Sequence, residues 1–162
     1  MTNRQFFTQL CTQEHPRFVG VLEALPKDNL DYRPHPKSRS AQELVAHLIG
    51  HELDLVELLA TGNINHRNQV PFTSMDEAVG IYKKARKDVE TKLPAVQDSD
   101  WDAPGKFLVN GNLVLEMPRQ GLAWMLMLDA IHHRGQLSTY LRPMGGKVPS
   151  IYGPSGDTAM GG

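Results

Sequence analysis

The chain has a single cysteine, Cys11, among 162 residues. That excludes an internal disulfide and a zinc site built on cysteines, and it fits a reducing compartment. Flanked by apolar residues, Cys11 reads as a small core filler. Excess charge of either sign is also missing: Lys+Arg 17 against Asp+Glu 18 leave a formal charge of -1, so nothing favours nucleic acid as a partner. Long apolar runs are absent too. The longest, Leu122 to Leu128, is far too short to cross a bilayer, and no apolar stretch of signal-peptide length follows Met1-Thr2-Asn3-Arg4-Gln5. The expectation is a cytoplasmic protein with no membrane partner, no internal repeat and no low-complexity tract.

This length suffices for one domain with a sizeable core and no staples. Residues 1–155 are expected to form it, with 156–162 as a flexible, small and polar tail. Phe6, Phe7, Leu10 and Cys11, then Phe18, Val21, Leu22 and Leu25, recur at spacings that predict an amphipathic helix from Asn3 to Leu25. Pro16 is expected to kink or restart it. Ser40-Ala41-Gln42-Glu43 is a capping box that opens a second helix, ending near Thr61-Gly62. Ser74-Met75-Asp76-Glu77 is read as another, opening a third helix that ends at Pro94, with Lys83, Lys84, Lys87, Asp88 and Lys92 on a solvated face.

Phe107-Leu108-Val109 and Leu113-Val114-Leu115 flank Asn110-Gly111-Asn112, a strong hairpin signal because Asn-Gly accepts the positive backbone angles of a tight turn. Pro118 then opens a fourth helix, where its missing donor does no harm. The predicted fold is all-α: a four-helix bundle with one or two long crossover connections and one small β-hairpin between helices three and four.

The fourth helix carries the chemistry. Its sequence is apolar nearly all the way round, yet Asp129, His133, Gln136 and Tyr140 fall at i, i+4, i+7 and i+11, a single stripe. If the helix is buried the stripe is buried with it, and an unpartnered carboxylate and imidazole would cost several kcal/mol. Either a divalent metal ion or a hydrogen-bond network must satisfy them. Bundles build metal sites from facing helices, and the second helix offers His47 and His51, one turn apart. The helical angle does not choose between them. Three protein ligands with room for water is the pattern of an open, catalytic site.

The segment Asp129-Ala-Ile-His-His-Arg-Gly-Gln-Leu-Ser-Thr-Tyr-Leu-Arg142, followed by Gly145-Gly-Lys-Val-Pro and Ile151-Tyr-Gly-Pro-Ser, resembles the C-terminal signature of the DinB family. This is the metal-binding group of the DinB/YfiT-like superfamily, not the polymerase that shares the name. Arg33-Pro-His-Pro-Lys-Ser-Arg-Ser and Ala46-His47-Leu48 resemble its central portion, so the likeness covers most of residues 1–155. It implies a divalent metal held by His47, Asp129 and His133, with nickel, zinc, iron or manganese as candidates. The family usually has histidine where this chain has Asp129, and a harder, charged ligand shifts metal preference, with His51 or His132 available to compensate. His132 points about 100° from His133, which suits packing or a subunit contact.

The resemblance further implies a homodimer through helix faces and a small-molecule substrate. In its relatives a metal-bound thiolate of a low-molecular-weight thiol is transferred to an electrophile. A metal-dependent hydrolase and a non-catalytic, stress-associated binding protein are the alternatives. Arg134 lies off the stripe and is expected to pair with an acidic residue on a neighbouring helix. The loop Gly145 to Ser155 is rigid enough to close over the site.

Overall fold

The computed structural model describes residues 1–67 and 70–158. Its four long helices are α1 (Asn3–Glu23), α2 (Ala41–Thr61), α3 (Met75–Lys92) and α5 (Arg119–Tyr140), with a 3-10 turn at Leu93–Ala95 and a short helix α4 (Asp98–Asp102). The strands are β1 (Ile64–His66), β2 (Pro104–Val109) and β3 (Asn112–Pro118). The architecture is α-rich with a small sheet. None of the helices is long and apolar enough to cross a membrane.

The long helices start where their caps dictate. The Thr2 hydroxyl accepts from the Gln5 amide and the Ser40 hydroxyl from the Glu43 amide, each in a reciprocal capping box. The third start differs from the expected box. Ser74 accepts from the Glu77 amide, but the Glu77 carboxylate turns to the Thr73 amide and hydroxyl, at 2.7 and 2.6 Å. α1 also departs from expectation, running through Pro16 without a restart. Its buried residues on either side, Cys11, Glu14 and Phe18, hold one continuous face against the interior, which outweighs the lost donor. At the end of α2, Gly62 takes the left-handed conformation, φ 79°.

α1 and α2 each pack on both α3 and α5. The core between them is built from Phe7, Phe18, Leu44, Leu48, Tyr82, Val89, Leu122 and Leu137. Within it a charged pair is buried: the Arg86 guanidinium donates to Glu52 at 2.5 Å, the two side chains 2% and 6% exposed. Arg86 falls four residues after Tyr82 and three before Val89, on the apolar stripe of α3, so its spacing did signal a buried charge that sequence reasoning passed over.

The hairpin forms as expected, Asn110 and Gly111 turning with φ 51° and 79°. The ribbon is three-stranded, however: β1 pairs in parallel with β2, placing Ile64 beside Phe107 and His66 beside Val109. A three-residue strand has too few positions for a period to show. α5 also differs from expectation. Leu128 is 59% exposed and Trp124, Met125 and Ile131 are only partly buried, so its outer face is not covered by the described residues.

Part of the stretch expected to be loose is anchored. The Asp157 carboxylate accepts from the Arg142 side chain and the Val148 amide, both at 2.9 Å, and Ser155 bonds Thr158. Residues 159–162 of the expected tail, like residues 68 and 69, lie outside the described residues.

Candidate metal centre

α2 and α5 lie side by side, with the Tyr140 hydroxyl near the end of α5 donating to the Arg39 carbonyl just before α2, at 3.1 Å. The two helices therefore run antiparallel. His47 stands eight residues from that tie and His133 seven, about 10–12 Å along their axes, so they meet at nearly one level. His51 and Asp129 meet one turn further in.

Four side chains converge there: His47, His51, Asp129 and His133, one nitrogen or oxygen of each within 4.8 Å of all the others. Asp129 Oδ2 is the hub. It lies 2.6 Å from His51 Nε2, 3.2 Å from His133 Nε2 and 3.4 Å from His47 Nε2. The structure thus brings His47, Asp129 and His133 together and adds His51 to them. His132 faces away and is exposed. The stripe is less deeply buried than its sequence suggested, since the Asp129 side chain is 43% exposed while His47 and His51 are 9% and 7% exposed.

Protonation is set by the surroundings. His133 Nδ1 lies 2.8 Å from Gln136 Oε1, an acceptor, so this nitrogen carries the proton and Nε2 turns a lone pair toward Asp129. Burial pushes His47 down to about 3, helped by the positive charge of neighbouring His51, Arg39 and His133. Burial also lowers His133. Burial acts the same way on His51, but the Asp129 hydrogen bond and the negative charges of Asp129 and Asp54 outweigh it and hold His51 above its usual value. The His51 hydrogen bond, assisted by the charges of the three histidines, holds the Asp129 carboxyl well below the carboxylate range. At neutral pH the group therefore offers two neutral imidazoles and a carboxylate, the ligating forms of each.

The geometry fits a metal as well. Ligand atoms bound at about 2.0–2.1 Å in a tetrahedron stand about 3.3 Å apart, and Asp129 Oδ2 is 3.4 and 3.2 Å from the nitrogens of His47 and His133. The 2.6 Å approach of His51 is a hydrogen bond instead. Burial leaves His47 Nδ1 and His51 Nδ1 without hydrogen-bond partners among the described residues.

Sequence reasoning passed over two neighbours of the cluster. Asp54, on α2 one turn beyond His51, is 3% exposed, and His66 at the end of β1 is 7% exposed with its Nδ1 2.5 Å from Asp54 Oδ2. The spacing of His51 and Asp54 on one helix was a signal that could have been used. His66 had none, because its strand is too short.

Arg134 pairs as expected, its guanidinium donating to Glu14 on α1, both side chains 2% exposed. Tyr152 joins them, accepting from Arg134 at 2.6 Å and donating to Glu14 at 2.9 Å, while Arg17 donates to the Ile151 carbonyl. The loop expected to close over the site is thereby docked on α1 instead, on the face of α5 that Arg134 presents. The strong acceptor Glu14 draws it there.

Residues 1–159 match the DinB family. The chain belongs to that family. YjoA of Bacillus subtilis strain 168, a protein of uncharacterised function, is 26% identical over 131 residues, 77% of this chain and 80% of YjoA. The crystal structure of this DinB-like relative superposes with a TM-score of 0.69 at 21% identity, covering 90% of this chain and 96% of that one. A DinB-like protein from Bacillus cereus gives a TM-score of 0.72 at 19% identity, over 90% of this chain and 95% of its own. A mycothiol-dependent maleylpyruvate isomerase shares the fold more distantly, with a TM-score of 0.55 and 10% identity over 91% of this chain and 65% of the isomerase.

Proposed function

We propose that this DinB protein is a metalloenzyme that holds one divalent ion through His47 Nε2, Asp129 and His133 Nε2 and transfers a small thiol to an electrophilic substrate. The observation that carries the reading is the convergence of those three donors in their ligating protonation states, 3.2 and 3.4 Å from a shared carboxylate oxygen. The four long helices are then the bundle of the family, with the metal between α2 and α5. Bound there, the ion would lower the pKa of a coordinated thiol and so supply a nucleophile at neutral pH.

The chain's own residues do the rest. Gln136 fixes the tautomer of His133, as outer partners of metal-bound histidines do. His51 Nε2–H donates to Asp129 and holds the carboxylate oxygen toward His47 and His133. The exposed edge of Asp129 leaves the side from which a co-substrate enters. A small thiol is the first candidate because a mycothiol-dependent enzyme shares the fold. We place a second copy of the chain on the outer face of α5, over Leu128 and Trp124, which light scattering of the purified protein tests.

The test is elemental analysis of protein purified without a nickel column. The expected result is that His133→Ala lowers bound transition metal by one equivalent per chain. Trace metal in both proteins would sink the reading. Cobalt-loaded protein should then develop a sulfur-to-metal charge-transfer band on adding 2-mercaptoethanol, and a flat spectrum would turn the reading toward a hydrolase or a plain binding protein.

A further inference from the structure

Asp54 and His66 take no part in the chemistry proposed above, yet they are among the most deeply buried polar side chains of the molecule, 3% and 7% exposed. With His51 they form a second group whose ligand atoms all lie within 4.8 Å of one another. We propose that His51 Nδ1, Asp54 and His66 are a second binding site for a divalent cation, separate from the one at His47, Asp129 and His133.

The reasoning starts from His51. Its Nε2 lies 2.6 Å from Asp129 Oδ2, a contact that requires a proton on that nitrogen. A metal-bound imidazole must give up its extra proton, and in the neutral ring the other nitrogen then carries the lone pair that would bind. That Nδ1 is buried and has no hydrogen-bond partner among the described residues. It faces Asp54 Oδ2 at 3.8 Å, too far for a hydrogen bond. In neutral His51 that lone pair and the carboxylate oxygen repel each other, and a cation between them reverses the sign. The same oxygen is 2.5 Å from His66 Nδ1, so two imidazole nitrogens flank one carboxylate oxygen. Their separations of 2.5 and 3.8 Å bracket the roughly 3.3 Å between ligands of a tetrahedral ion, and side-chain movements of well under 1 Å would equalise them.

The donors are also held in place. His51 and Asp54 are one turn apart on α2. His66 is fixed by the pairing of β1 with β2, opposite Val109, and its ring stacks on Phe107 with centroids 5.6 Å apart. Two nitrogens and one oxygen suit zinc, cobalt, iron or manganese in the divalent state. The two sites share no ligand atom. They are joined by the His51 to Asp129 hydrogen bond, in which a ligand of each site orients a ligand of the other. Each ion is thereby matched by one carboxylate.

The experiment counts ions. The full chain is stripped with chelator, titrated with Zn²⁺ alone by calorimetry, and bound zinc is confirmed by elemental analysis, for wild type, His66→Gln, Asp54→Asn and His133→Ala. Two equivalents are expected in wild type and one in each variant. A single equivalent in wild type, abolished in His133→Ala and unaffected in His66→Gln and Asp54→Asn, would overturn this proposal while leaving the first site standing. A single equivalent lost in His66→Gln and Asp54→Asn but kept in His133→Ala would support it and remove the first site. Should His66→Gln fail to fold, as judged by circular dichroism, the nearly isosteric Asp54→Asn carries the same count.

Discussion

Replacing Glu14 by glutamine removes one negative charge from a place water does not reach, and the consequence can be worked through. Glu14 accepts from Arg134 and Tyr152 through one oxygen and from Arg17 through the other. Arg17 is 30% exposed and can turn to solvent, whereas Arg134 is 2% exposed and cannot. Its guanidinium then has neutral partners: the glutamine amide oxygen, the Tyr152 hydroxyl and the faces of the Phe18 and Tyr152 rings, 4.6 and 5.1 Å from their centroids. Breaking a buried pair from one side costs about 3–5 kcal/mol. In a domain of this length each kcal/mol moves Tm by ~2–4 °C, so Glu14→Gln should melt roughly 6–20 °C lower. The double variant Glu14→Leu with Arg134→Met should recover most of that loss, because replacing both charges by apolar groups is close to neutral. Urea denaturation of the chelator-treated protein, followed by circular dichroism at neutral pH, keeps metal binding out of the measurement. A loss below about 1 kcal/mol for Glu14→Gln, or a double variant as unstable as the single one, would refute the reasoning.

The same carboxylate predicts a pH dependence. Burial would raise Glu14, but hydrogen bonds from Arg134 and Tyr152 and the charges of Arg134 and Arg17 outweigh it and hold the group below its ordinary 4.5. Its stabilisation is then complete above that value and lost as pH falls through the lower, folded-state one. Denaturation midpoints should drop more steeply on the acid side in wild type than in Glu14→Gln. Cys11 is 1% exposed, and its thiol is pushed up to about 11 chiefly by burial, so iodoacetamide at pH 8 should leave the native protein unmodified and alkylate it stoichiometrically in urea. Fast alkylation of native protein would count against this. Gly62→Ala should cost at least about 1–2 kcal/mol, because φ is 79° and the added carbon would sit 2.3 Å from the Arg119 guanidinium. An unchanged urea midpoint would contradict it.

Much of the fold was legible because it rests on local rules. Ser40 with Glu43, Asn110 with Gly111, and the apolar spacings of Phe7, Cys11 and Phe18 each act within a few residues, so a linear reading finds them. The stripe from Asp129 to Tyr140 was legible for the same reason, and the antiparallel neighbour α2 brings His47 to it. What escaped depends on tertiary contact. Glu52 and Arg86 stand at core spacing on their helices, but only the packing of α2 on α3 makes each the other's partner. His66 is aimed by a parallel pairing with a strand some forty residues away, and Glu77 abandoned Ser74 because Thr73 offered two donors. The Gly145 to Ser155 loop was rightly read as constrained but assigned the wrong destination, since its anchor Glu14 lies on α1, far from it in sequence.

Adjacent residues His133 and Arg134 serve two separate polar layers, one facing α2 and the other facing α1. The angular setting of α5 is therefore specified twice. Inserting or deleting one residue upstream would turn the helix by about 100° and carry the imidazole out of its cluster and the guanidinium away from Glu14 in the same movement. Apolar side chains tolerate sliding past one another, but two charged layers on opposite sides do not. α5 is indexed to its neighbours like a key cut on both edges, and changes of length in this family should accumulate in the hairpin and the loops, not within this helix.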